Sequence, residues 1–167
     1  SPGPVPDMYT SEILVPDTVI AGSEFNIEFQ VVNQGTKTVL SPWNDRVFFS
    51  FDPVWNPDFA VALTTVEQDN PFIQGDIRNF SFRHIFGTNT VENIYYIYVV
   101  SDIDGQVYEG VAGELNNIQR SAAFYIKESP PIDLRLDTVT SSITAFYSGQ
   151  TFAFEYEVSN NSIIPLS

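Results

Sequence analysis

The sequence predicts an all-β protein. Three observations carry that prediction: apolar residues recur with a period of two, short turn signals separate the periodic runs, and no stretch has convincing helical periodicity. The chain's 167 residues suffice for one large domain, or one and a half small ones, with an ordinary core.

The elements follow in order. The opening "SPGPVPDM", proline-spaced and without an initiator Met or apolar leader, reads as the linker end of a mature or excised segment. "YTSEILV" is the first strand. In "SEFNIEFQVVN", Phe25, Ile27, Phe29 and Val31 share one face, while Glu24, Asn26, Glu28 and Gln30 share the other, as in a half-buried antiparallel strand. "DRVFFSFD", "DFAVALTTV", "IRNFSFRHIF", "NIYYIYVVSD" and "IQRSAAFYIK" continue the pattern, with "NQG", "DPVWNPD", "QDNP", "FGTNT" and "DIDG" between them as turns. "NIYYIYVV" is apolar on both faces and belongs in the middle of a sheet. Seven such strands predict a two-sheet, immunoglobulin-like β-sandwich.

The sequence also repeats. "GSEFNIEFQVVN" from Gly22 returns as "GQTFAFEYEVSN" from Gly149, an offset of 127 that carries Phe25 to Phe152, Phe29 to Tyr156 and Asn33 to Asn160. Glycine starts each run where a turn needs positive φ, and asparagine closes it. Upstream, "DMYTSEILV" matches "DLRLDTVTS" with a one-residue slip. The expected organisation is a linker over 1–6, a domain over 7–127, a linker over 128–132, and over 133–167 the first two strands of a second, incomplete repeat. Two strands cannot bury their apolar faces alone. The repeat therefore points to a longer tandem array.

Composition narrows the function classes. Asp and Glu number 21 against seven Lys and Arg, a net charge of −14, which argues against nucleic acid and anionic lipid as partners. The absence of cysteine excludes a disulfide scaffold, Cys-ligated zinc and a thiol nucleophile. No apolar run approaches the ~18 residues that cross a bilayer, so direct membrane insertion is not expected.

Motifs in order along the first repeat resemble the cell-adhesion-related domain found in bacteria (CARDB), an immunoglobulin-like repeat of secreted and surface proteins. The resemblance runs through Asp7, the Gly22 turn, the strand end at Val31, Asn33 and Gly35, and Phe48, Ser50 and Asp52. It closes on "VVSDIDGQVYEGVAGELNN", with Asp102, Asp104, Val107, Glu109, Glu114, Asn116 and Asn117. Longer connections, "DPVWNPDFAVAL" and "GTNTVENIY", and an extra "GVAG" between the glutamates depart from the family pattern. The resemblance implies a non-catalytic stalk or adhesion module of a larger secreted or cell-surface protein, partnered by its neighbouring domains and by a surface protein or glycan.

Two readings of the acidic hairpin stand together. Asp102, Asp104, Glu109, Glu114 and Asn116 offer hard oxygen donors to calcium, though not at EF-hand spacing. Alternatively the Asx side chains close a tight turn, and the asparagines order the last strand. No cofactor beyond calcium is expected, and no catalysis: four acidic residues on one hairpin do not face each other across a cleft, and the one histidine, His84, reads as a surface strand residue. Trp43 and Trp55, in "SPWNDR" and "DPVWNPD", either stack on a glycan or partner or cap the core. The former would make the chain a binding module of a secreted enzyme. Asn79 and Asn160 fit the N-glycosylation triplet, and Thr18 and Thr138 sit in "DTV" triplets resembling a bacterial O-glycosylation acceptor.

Overall fold

The structure, a computed structural model, describes residues 3–141, 145 and 147–161. The chain divides into two compact units, Ser1–Glu128 and Ser129–Ser167.

The first unit is a two-sheet sandwich of immunoglobulin-like type. Its elements are β1 (Met8–Leu14), β2 (Thr18–Ile20), β3 (Glu24–Asn33), β4 (Trp43–Ser50), β5 (Val61–Gln68), β6 (Ile77–Ile85), β7 (Asn93–Val100), α1 (Gly110–Glu114), β8 (Ile118–Arg120) and β9 (Phe124–Lys127). One sheet runs β1-β3-β6; the other runs β2-β9-β7-β4-β5, with β8 also on β7. All pairs in this unit are antiparallel except β2 with β9.

The period-two residues of β3 behave as their pattern requires. Ile27, Phe29 and Val31 are buried, Phe25 packs at the edge of the core, and Glu24, Asn26 and Glu28 face solvent. From the facing sheet come Trp43, Val47, Ile97, Val99, Phe124 and Ile126. Each such side chain contributes about 1.5–3 kcal/mol when it leaves water. β7 is central, flanked by β4 on one side and by β8 and β9 on the other, which accounts for its apolar residues on both faces.

One expected strand breaks in two, and one strand forms where none was expected. The first strand ends at Leu14, and after Val15-Pro16-Asp17 the chain resumes as β2 in the opposite sheet. Pro16 has no N–H to continue the ladder, so the crossing falls there. The last strand breaks at Ser121-Ala122-Ala123, where the Ser121 hydroxyl accepts the Ile97 N–H at 3.0 Å and donates to the Ala122 carbonyl at 2.7 Å. Hence nine strands form where the pattern indicates seven. The "GVAG" insertion becomes α1, five residues long and too short to show any periodicity.

One buried amide gathers the start of the sandwich. Asn33 accepts the Asp7 N–H (3.2 Å) and the Gly35 N–H (3.1 Å), and donates to the carbonyls of Lys37 (3.0 Å) and Phe72 (2.9 Å). Gly35 is needed by close approach: a Cβ there would lie 2.4–2.5 Å from backbone atoms of Val5, Pro6 and Asp7.

The second unit, considered by itself, is a hairpin of β10 (Leu134–Ser141) and β11 (Phe154–Asn160). Its register repeats that of β1 and β3. Met8 pairs with Asn33 and Leu134 with Asn160; the bulge falls between Thr10 and Glu12, and again between Leu136 and Thr138. The Gln34 N–H reaches the Asp7 carbonyl at 2.8 Å, and the Asn161 N–H reaches the Asp133 carbonyl at 2.8 Å. Gly22 and Gly149 have φ of 86° and 84°. What does not repeat is burial: Leu136, Val139, Phe154, Tyr156 and Val158 are exposed.

Gly35→Ala is expected to destabilise the first unit by more than about 3 kcal/mol, because backbone rather than a side-chain tip must move. A denaturant midpoint close to that of the parent chain would show that the loop over 35–37 yields at little cost.

Candidate functional site at one end of the sandwich

The acidic stretch begins where β7 leaves its sheet at Val100. Asp102 turns the chain with φ of 44°, a left-handed conformation that aspartate tolerates better than most residues. Its carboxylate accepts the N–H groups of Gln106 and Val107, both at 2.8 Å, and its carbonyl accepts the Gly105 N–H at 2.9 Å. Thus Asp102 closes its own loop, and Asn44 donates to Asp104 at 2.9 Å on the surface.

Beneath this loop lies a further carboxylate. Asp45 on β4 is fully buried. It accepts from the Trp43 indole N–H (3.0 Å), the Asp102 backbone N–H (3.0 Å) and the Gln68 amide (2.7 Å). Burial pushes its pKa up to about 6 against the pull of those three hydrogen bonds, with the Asp102 charge adding to the rise. The available signal was the alternation Trp43, Asp45, Val47, which places the aspartate on the inward face.

Trp43 is therefore not in a loop. It is inaccessible within β4, stacked on Phe72 with ring centres 5.5 Å apart, and Arg78 lies over both rings. It caps the core and offers no face to a ligand. Trp55 is half-buried, edge-on to Phe48 and tilted against Tyr98. His84 lies on β6, half-buried against Phe25 and Phe86, with its pKa lowered by burial.

The remaining candidate residues gather around the start of β1. Glu109, 1% exposed, accepts the Met8 backbone N–H through Oε2. Glu114, at the end of α1, accepts the Glu109 N–H at 3.2 Å, with the Asn117 amide 3.5 Å from its other oxygen. Asn116 donates to Asp7 at 2.8 Å. Burial is the largest influence on Glu109 and raises its pKa to about 7; Glu114 and Asp102 add repulsion, while the Met8 N–H and the neighbouring Asn117 amide oppose it. The five calcium candidates thus divide. Asp102 and Asp104 occupy one side of the stretch, engaged in the turn and with Asn44, while Glu109, Glu114 and Asn116 lie together against Asp7 and Met8. Among the described residues, no three His, Cys, Asp or Glu side chains converge in a metal-holding group.

The glycosylation candidates are dispersed. Thr18 is exposed at the start of β2 and Thr138 is exposed on β10. Asn79 lies on β6, where Gln30 donates to its side chain at 2.9 Å. Asn160 ends β11, and Ser162 of its triplet lies outside the described residues.

These features define a class: an all-β, immunoglobulin-like sandwich whose acidic end is organised by hydrogen bonds. Comparison with solved structures makes it more specific, and the fold is CARDB-like. The crystal structure of the CARDB domain of the PF1109 protein from Pyrococcus furiosus, in complex with di-metal ions, superposes with a TM-score of 0.58 at 20% identity, over 75% of this chain and 97% of that one. The solution structure of the same domain gives 0.53 at 21% identity, over 73% and 95%. A β-glucosidase from Erythrobacter marinus gives 0.50 at 8% identity, over 73% of this chain but 16% of its own. No family model and no curated protein matches the sequence.

A carboxylic acid held neutral by the fold loses stability when it must ionise. Asp45 ionises near its ordinary value of 3.8 in the unfolded chain and at about 6 in the folded one. The stability that Asp45 contributes should therefore be lost as pH rises from about 4 to about 6, a sum on the order of 2–3 kcal/mol, and Glu109 should extend the fall toward about 7. Urea melts at pH 4.5 and 7 would show this, and Asp45→Asn should flatten part of the slope. An unchanged slope in that variant would assign the effect to other carboxylates.

Proposed function

We propose that the chain is a non-catalytic segment of a larger secreted or cell-surface bacterial protein, serving as a stalk or adhesion module. The observation that carries this reading is the repeated hairpin. β10 and β11 reproduce the register, bulge and glycine turn of β1 and β3. A protein that uses one hairpin to start successive sandwiches is a tandem array, and arrays of this kind space or display other parts. Its partners are then the neighbouring repeats and a surface protein or glycan. Residues 133–167 are the opening of a second repeat, whose apolar face would be covered by the strands that complete it.

The acidic end supports an absence of turnover. Asp45 and Asp102 are committed as acceptors to neutral donors, and Glu109 is tied to the Met8 backbone, as in structural knots rather than a cleft. A net charge of −14 opposes mispairing between similar repeats. The P. furiosus domain was solved in complex with di-metal ions, which is compatible with a metal ion, calcium in this reading, as the ligand class for the module. The alternative is an accessory binding module of a secreted enzyme. The partial likeness to a β-glucosidase is compatible with it, and Trp55 is the aromatic left to carry it.

Hydrogen exchange and a glycan titration test these readings together. Amides of β10 and β11 should exchange far faster than those of β3 and β7, because the hairpin's described apolar side chains are exposed. Equal protection would mean that this face needs no completing strands, and would remove the support for an array. Tryptophan fluorescence should stay unchanged with soluble polysaccharides; a saturable change lost in Trp55→Ala would favour the accessory module.

A further inference from the structure

We infer that Glu109, Asn116 and Asn117, where they close on the Asp7–Met8 segment, form a binding site for a calcium ion built from side-chain oxygens. This rests on the divalent-cation reading above and gives that ion a place away from Asp102 and Asp104.

Among the described residues, five buried side-chain oxygens have no hydrogen-bond partner: Glu109 Oε1, Asn116 Oδ1, Asn117 Oδ1, Ser101 Oγ and Thr10 Oγ1. Geometry brings them to one region. The Met8 N–H binds Glu109, and Thr10 follows Met8 on the same face of β1. Ser101 donates its N–H to the Asn117 carbonyl at 2.8 Å, and Asn117 lies against both Glu109 and Glu114. Asp7 joins the group through Asn116 at 2.8 Å, and a Cβ at Gly113 would lie 2.6 Å from Glu109 Cβ and 3.7 Å from the Asp7 carboxyl.

The chemistry of these atoms selects the ligand. Glu109, 1% exposed, and Asn117, 8% exposed, present oxygens that only accept when the carboxyl is ionised. Turning the amides over does not help, because Asn116 Nδ2 faces the Asp7 carboxylate and Asn117 Nδ2 faces Glu114. The Ser101 and Thr10 hydroxyls are the donors at hand and supply one hydrogen bond each, whereas a cation draws several oxygens at once. Its identity follows from hard, neutral and anionic oxygens on irregular backbone, the donor set of calcium rather than of a nitrogen- or sulfur-seeking metal. The ion pairs formed among the described residues, Arg83 with Glu24 and Arg135 with Asp137, involve none of these side chains.

The test is calorimetry and thermal unfolding of the whole chain, freed of metal with a chelator and titrated with calcium chloride. Saturable binding and a rising midpoint are expected. Glu109→Gln, which keeps an oxygen for the Met8 N–H, and Asn117→Ala should each weaken binding by roughly tenfold or more. Asp104→Asn should leave it unchanged. In the parent chain, calcium should shift the NMR amide signals of Met8, Ser101 and Asn117, a readout that requires no variant. No saturable heat and no midpoint shift at millimolar calcium would overturn both the site and the cation reading. Binding unaltered by the Glu109 and Asn117 variants but lost in Asp104→Asn would overturn the site alone.

Discussion

The first unit depends on Asn33. A buried side-chain amide must meet all its hydrogen-bonding needs from the protein, and this one does so with four backbone groups from three segments. It fixes Asp7 before β1, the loop at Gly35 and Lys37, and Phe72 between β5 and β6. Each partner would otherwise be a desolvated backbone group costing roughly 1–3 kcal/mol. Because Phe72 stacks on Trp43, the amide also sets where the second sheet begins its packing. The close approach at Gly35 follows from the same geometry, since the loop must fold back onto residues 5–7 for Asn33 to reach them.

A second knot, at Asp45, extends the first across the sandwich. Arg78 lies over the rings of Trp43 and Phe72 and donates to Gln68, which donates to Asp45, which in turn holds the Asp102 backbone. The left-handed conformation of Asp102 is thereby fixed from two sides: by its own carboxylate on Gln106 and Val107, and by its N–H on a buried acceptor. The acidic loop is therefore held both from within and from the core beneath it.

How much of this was legible in the sequence depended on which residues obeyed a two-state alternation. The inward run of β3 was plain because its polar and apolar residues separate cleanly, and the centrality of β7 followed from its lack of a polar face. The positive φ of Gly22 and Gly149 was readable because only a turn there explains glycine before each repeated strand. Trp43 was not legible: Pro42 and the acidic neighbour made "SPWNDR" look like a loop, whereas Asp45 points inward to accept the indole N–H. Pattern reading assigns charges to the outward face, and a buried aspartate with three donors violates it. The hairpin was half legible. Its turn role followed from residue type, but the separation of Asp102 and Asp104 from Glu109 and Asn116 came from α1 and from the chain's return to Met8, neither of which has a periodic signature.

The two hairpins separate what local sequence specifies from what burial stabilises. β1 with β3 and β10 with β11 share register, a one-residue bulge and a left-handed glycine turn, yet one inner face is buried and the other exposed. Register is set by short-range features: the glycine, the bulge, and asparagine at the strand's end opposite Met8 or Leu134. Such features choose one pairing over its neighbours, because a one-residue slip would turn every apolar side chain to the wrong face. They do not supply the free energy of folding, which for two strands in water is marginal at best. In the first unit that energy comes from Trp43, Ile97, Val99 and Phe124 on the facing sheet. The exposed Phe154, Tyr156 and Val158 carry the pattern of a core face and, among the described residues, are not covered as Phe29 and Val31 are. The second hairpin thus carries the register and apolar pattern of the first without its burial.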